Sequence, residues 1–265
     1  MKELIFIDDA RGMGPDTDEV FKYTQSFFPC LKIKKILLVK ALGSKRTVDS
    51  LAEKFVGSKM CAGVSPSIVE KEILFEKNRL LDDKNKSFGN LYDGFSYLEA
   101  MAPVCGGMKI RRGDAVILFT NQLMATYDEA DKRYHLRTAI HSVPLSIISV
   151  TGIIEAPAKP REYYLKKQAG IPEHELKAEF AGRFIDYGDK RAITECSKGL
   201  VLQAIFYAVT GEPFCENKKC RLFNAHWQEE LIASQIKNRQ GLCPAHKKIL
   251  EDAKKDFCKV IRFPS

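Results

Sequence analysis

Apolar and polar positions along the chain repeat with two different periods. Residues 1–9 (MKELIFIDD) and 31–41 (LKIKKILLVKA) alternate or run apolar with β-branched content, and read as strands. TVDSLAEKFVGSKM, from Thr47, has a capping-type start and apolar residues at helical spacing. SPSIVEKEILFEKNRLLDD, from Ser65, accommodates a strand followed by a helix. RRGDAVILFTNQL, from Arg111, reads as a turn and a buried strand. PLSIISVTGIIEAPAKP, from Pro144, reads as another strand, ended by prolines that forbid a helix. IPEHELKAEFAGRF and KRAITECSKGLVLQAIFYAVTG read as helices, the second closed by Gly211 at a C-terminal cap position. NAHWQEELIASQI and AHKKILEDAKKDF read as amphipathic helices.

Strands interleaved with helices predict an α+β fold, a mixed, largely parallel sheet flanked by helices. The most loop-like stretch, DDKNKSFGN from Asp82, marks a candidate boundary between an N-terminal α/β part, 1–88, and a second region, 89–265. Whether the two share one core stays open.

The chain has 265 residues and a net charge of +8, with its basic residues scattered and no aromatic residues interleaved among them. That argues against a nucleic-acid interface and for a solvated basic surface. The first residues, MKELIFIDDA, are cut short by two aspartates and do not make a secretory signal. The longest apolar stretch, GLVLQAIFYAVTG, is too short to span a bilayer. The expectation is a cytoplasmic protein with no membrane contact, in which eight cysteines stay reduced and clustered ones point to metal.

Such a cluster exists. Cys215 and Cys220 have four residues between them, and Cys243 and His246 form a C-x-x-H pair further on. Two short-spaced ligand pairs joined by a longer segment can converge on one tetrahedral zinc. With all four positions filled by protein, that ion would hold shape and leave no place for a substrate. His226 is a less well placed substitute for His246. Cys30, Cys61, Cys105, Cys196 and Cys258 have no such spacing and read as buried small hydrophobes.

The order helix, Gly211, Cys215-x4-Cys220, Cys243-x2-His246 resembles the C-terminal half of the archaemetzincins, zinc metalloproteases of the metzincin group. Their pattern is HExxHxxGxxHCxxxxCxM followed by CxxC. The resemblance covers about residues 108–258 and includes ILFTNQL and PLSIISVTGII as the family's two central strands. It implies a metzincin-like fold with a C-terminal structural zinc unit. It also implies that the catalytic residues are gone. At the three histidine positions stand Ala204, Ala208 and Phe214, the general base is replaced by Ile205, and the family's methionine by Leu222.

Other chemistry could have replaced that site. TYDEADKRYHLRTAIHSVP, residues 126–144, gathers Asp128, Asp131, His135 and His141. On a helix Asp128, Asp131 and His135 would share one face, as a second metal site, an acid–base pair or an exposed ion-pair network. EAPAKPREYY, from Glu155, reads as an extended loop that offers Glu155 and Glu162. DYGDKR, from Asp186, is most simply an N-cap before a helix. No P-loop or nucleophile elbow is present.

The reading favoured by these residues is a zinc protein with a lost metzincin site that binds or regulates, with a peptide or protein as partner. Its rivals are a metal-dependent hydrolase rebuilt around His135 and His141, and a basic zinc-containing nucleic-acid binder.

Overall fold

The computed structural model describes residues 1, 3–10, 12, 14–60, 66–82, 87–238 and 241–259. In chain order its elements are β1 (Glu3–Asp9), α1 (Thr17–Phe27), β2 (Lys32–Leu37), α2 (Leu38–Ala41), α3 (Lys45–Ser58), α4 (Pro66–Leu81), β3 (Leu91–Asp93) and α5 (Gly94–Gly107). There follow β4 (Ala115–Thr120), β5 (Leu123–Asp128), β6 (Arg133–Arg137), β7 (Ala139–Ile140), β8 (Leu145–Ser149), α6 (Val150–Glu155), α7 (Arg161–Gln168) and α8 (Glu173–Glu179). The last are α9 (Lys190–Thr210), α10 (Gln228–Leu231), a π-helical turn (Ile232–Ile236) and α11 (Pro244–Lys259).

The main sheet has the order β2-β1-β4-β8-β7. It is parallel except at its edge, where β7 runs antiparallel to β8. AVILFT of β4 is buried at every position because helices cover both faces. On one face α1 and α9 close a core around Phe6, Phe119 and Leu200. On the other, α3 and α5 close a second core around Phe55, Tyr97 and Leu118. The expected mixed, largely parallel sheet with flanking helices is therefore present, and β1, from the first residues, lies between β2 and β4.

α9 begins at Asp189, whose carboxylate accepts from the Ala192 N–H, and ends at Gly211 with φ +80°. By length and composition it could cross a membrane, so the apolar stretch is longer than the sequence suggested, but 78% of its apolar window is buried in this fold. It is the central core helix.

Several boundaries differ from the sequence reading. The apolar run from Pro144 does not stay extended to the prolines. The strand ends at Ser149, whose side chain caps α6 by accepting from the Gly152 N–H. The segment from Ser65 contains one long helix, α4, among its described residues. The run from Leu31 turns helical at Leu38. Residues 224–227 of the expected helix NAHWQEELIASQI are non-helical, and the helix starts at Gln228.

The largest correction concerns residues 126–144. They form a hairpin in place of a helix: β5 and β6 pair antiparallel, with Tyr127 opposite Tyr134 and Thr126 opposite His135. The rings of Tyr127 and Tyr134 meet edge to face at 5.2 Å between centroids, a cross-strand contact that a helix would forgo. Lys132, with φ +54°, turns the chain.

Candidate functional site

Two groups of side chains converge closely enough to hold a metal ion, and a cleft lies beside one of them. The first group is Cys215, Cys220, Cys243 and His246, whose ligand atoms all lie within 4.8 Å of one another. Cys215 Sγ is 4.0 Å from Cys243 Sγ, and His246 Nδ1 is 3.9 Å from Cys220 Sγ and 3.1 Å from Cys243 Sγ. A tetrahedral zinc with bonds of about 2.3 Å to sulfur sets its ligands about 3.8 Å apart, so the donor set and spacing fit. The fold builds this locally. Cys215 N–H donates to the Leu222 carbonyl, Cys220 N–H to the Asn217 carbonyl, and Cys243 directly precedes α11, which carries His246. Backbone N–H groups of Asn217 and Cys243 point at the Cys215 and Cys220 sulfurs, at 3.4 and 3.5 Å. Without a cation, burial pushes the Cys220 thiol up to about 12.

The second group is Asp128, Asp131 and His135 at the end of the β5–β6 hairpin. Its geometry is that of an ion-pair cluster. Asp131 accepts from Arg133 Nε at 2.6 Å and lies 2.7 Å from His135 Nε2, while Asp128 caps the turn by accepting from the Ala130 N–H. The expected shared face survives through the strand pairing: Asp128 faces Arg133 and Thr126 faces His135 across the ladder.

The cleft, about 540 Å³, is lined by the whole run Arg133–Ala139, with Ala156–Ala158 and Asn224–His226 among its other walls. Consecutive strand residues point to opposite faces. A cleft that touches every one of them runs along the strand's edge. β5 occupies one edge of β6, and among the described residues no strand pairs with the other. His135, His141 and His226 all line the cleft, but no metal-sized group among the described residues joins the three. The ring of His141 lies against Phe214 and Tyr207, with Gln203 as its hydrogen-bond partner, and burial lowers its pKa to about 4. It is a neutral imidazole at pH 7.

From α9 the residue that lines this cleft is Gln203, and Tyr207, one turn on, reaches His141. Ala204, Ile205 and Ala208 instead pack into the core. Phe214 does line the cleft. Neither face of the helix offers a metal ligand in this stretch. Glu155 ends α6 just before the cleft wall and lies 3.7 Å from Lys159, while Glu162 is exposed in the first turn of α7. Neither lines the cleft.

Sequence reasoning missed Gln203 and Arg137 as cleft residues. The signal available was period: Gln203 is the polar residue on an otherwise apolar stretch of α9, and Arg137 alternates with His135 on β6. His226, expected inside a helix, sits in an extended segment whose carbonyl accepts from the Ala158 N–H. Cys105 and Cys196 are buried free thiols as expected, whereas Cys30 is disulfide-bonded, and Cys61 lies outside the described residues. The side chain of Cys258 is likewise outside them.

No curated protein matches the chain. Among solved structures it is similar to archaemetzincin (amzA) from Methanopyrus kandleri, with 11% sequence identity, 96% of each chain covered and a TM-score of 0.48. The family described as a probable metallopeptidase family, DUF6775, matches residues 2–253, so the chain belongs to that family.

Proposed function

We propose that this protein holds an extended peptide along the outer edge of β6 and does not cleave it by metzincin chemistry, with one structural zinc at Cys215, Cys220, Cys243 and His246. The observation that carries this reading is the cleft running along an unpaired strand edge, Arg133–Ala139, next to a helix with no metal ligand facing it. Such an edge can accept a further strand by main-chain hydrogen bonds, with side-chain pockets alternating along it. The zinc, when bound, supplies a fixed tetrahedral crosslink. The four residues tie the loop after α9 to the start of α11.

The test is elemental analysis of protein purified without chelator, combined with binding and turnover of labelled peptides. One zinc per chain and binding without hydrolysis are expected.

A second reading rests on Asp128, Asp131 and His135, whose ligand atoms also lie within 4.8 Å of one another and whose histidine lines the cleft. In that reading the protein is a metal-dependent hydrolase. Two metals per chain, with turnover that disappears in His135→Ala while the fold persists, would establish it over the first.

A further inference from the structure

Charge around the cleft is one-sided. Its lining contains Arg133, Arg137 and three histidines, and no aspartate or glutamate among the described residues. Arg133 is already committed, because its Nε donates to Asp131 at 2.6 Å. His141 is held neutral by burial. Arg137 differs from both. Its Nε donates to Thr126 Oγ1 at 2.7 Å, a neutral acceptor, and the side chain forms no ion pair among the described residues.

Its position is fixed from two sides. The hydroxyl of Thr126 on β5 orients the guanidinium. The backbone is pinned by α6 and β8: a Cβ on Gly152 would overlap the Arg137 carbonyl oxygen, and Ser149 N–H donates to the Thr138 carbonyl at 2.9 Å. A half-buried, uncompensated guanidinium held by its Nε leaves two terminal nitrogens in a planar fork. That fork matches a carboxylate in two parallel hydrogen bonds. One such charge suits a singly charged carboxylate better than a dianionic phosphoryl group, since no second unpaired arginine or lysine lines the cleft.

We infer that Arg137 is the anchor of a carboxylate-binding subsite, so that the cleft's ligand is an acidic peptide, held by an Asp or Glu side chain or by its C-terminal carboxylate. This rests on the peptide-binding reading above. Thr126 is then a positioning residue that holds the fork in place.

The experiment uses the full zinc-loaded chain and fluorescence anisotropy. Dye-labelled peptides are compared in pairs: internal Glu against Gln, and free C-terminal acid against amide. N-acetylglycine, against N-acetylglycinamide, is titrated separately by NMR as a probe with a single carboxylate that needs no peptide cleft. Charge-assisted bidentate pairing predicts roughly tenfold or tighter binding of the acid member of at least one peptide pair. Which pair responds identifies the source of the carboxylate. In Arg137→Gln, checked for zinc content and melting temperature, the difference should vanish. Arg137→Lys should restore only part of it, because an ammonium lacks the fork. Thr126→Val should weaken the acid member and leave the amide unchanged. Peptides that bind equally as acid and amide would overturn the subsite and leave the peptide reading standing. Binding of N-acetylglycine that Arg137→Gln removes, without any peptide binding, would support the subsite and sink the peptide reading. Loss of both would overturn both.

Discussion

Gly152, in the first turns of α6, lies directly beneath the carbonyl oxygen of Arg137, and a Cβ there would overlap that oxygen and come within 2.9 Å of Ser149 Cβ. Alanine is the better helix former by about 1 kcal/mol, so an exposed glycine in a helix would gain from the change. Here the obstacle is a backbone atom that cannot rotate away. Overpacking of this kind costs about 1–3 kcal/mol. Gly152→Ala should therefore lower the urea midpoint and weaken peptide binding together, since the same strand carries the cleft. An unchanged midpoint would mean that α6 does not set the height of β6.

The cysteine cluster joins the loop after α9 to the start of α11. Cys220 is fully enclosed and its sulfur faces Cys243 and His246. Structural zinc is worth about 10–16 kcal/mol of apparent free energy in small peptides, an upper bound for a chain with its own large core. Cys220→Ser should reduce zinc from one per chain to less than about a tenth and lower the melting temperature by several degrees or more. Chelator should reproduce the shift in the wild type and add nothing in the variant. Retention of zinc by Cys220→Ser would remove the assignment.

Much of the frame was legible because its signals are local. Gly211 is a left-handed cap, Asp189 is an N-cap, and β4 is an apolar run from Ala115 to Phe119, each readable from a few neighbouring residues. The convergence of Cys215, Cys220, Cys243 and His246 was legible for a similar reason: short spacings bring two side chains together whatever the rest of the fold does. The hairpin was not. Asp128, Asp131 and His135 have helical spacing, and the choice of a hairpin is made by Tyr127 meeting Tyr134 and by β3 pairing alongside β5. Those contacts depend on partners that no local pattern names. Gln203 faces the cleft for a similar reason. Which face of α9 meets the sheet depends on how Ala204, Ile205 and Ala208 pack into the core, a matter of tertiary fit.

A second buried site of charge lies on the opposite face of the sheet. Arg79, 3% exposed, donates to Asp9 at 3.0 Å and to Glu76 at 2.8 Å, and Glu76 also accepts from Tyr92 and pairs with Lys59. Its neighbours hold Arg79 charged, while burial makes the Tyr92 and Tyr97 hydroxyls much harder to ionise. Removing one partner of a buried pair leaves the other charge stranded, at about 3–5 kcal/mol. Arg79→Ala should lose that much in urea unfolding, and Arg79→Ala with Glu76→Gln should lose less than the sum of the two single changes. Strict additivity would show that the groups do not act as a network.

His141 adds its own loss to the acid side of the stability profile. Burial lowers its pKa to about 4, against an ordinary value of about 6.5 in the unfolded chain. The groups around it are Gln203, Tyr207 and Phe214, none of which supplies a charge to hold a proton on the ring. Between these two pKa values the unfolded chain takes up a proton that the folded one refuses, so folding weakens as pH falls through that window. The full effect is about 3 kcal/mol, reached below pH 4, at 1.36 kcal/mol per unit. Carboxylates titrate in the same range, so the measurement is a difference. Urea unfolding of wild type and His141→Gln is compared at pH 7 and pH 4.5. The wild type should lose about 2 kcal/mol more than the variant over that interval. Equal losses would mean that the ring is protonated in place, and that the cleft wall carries a positive charge which the present geometry gives it no partner to balance.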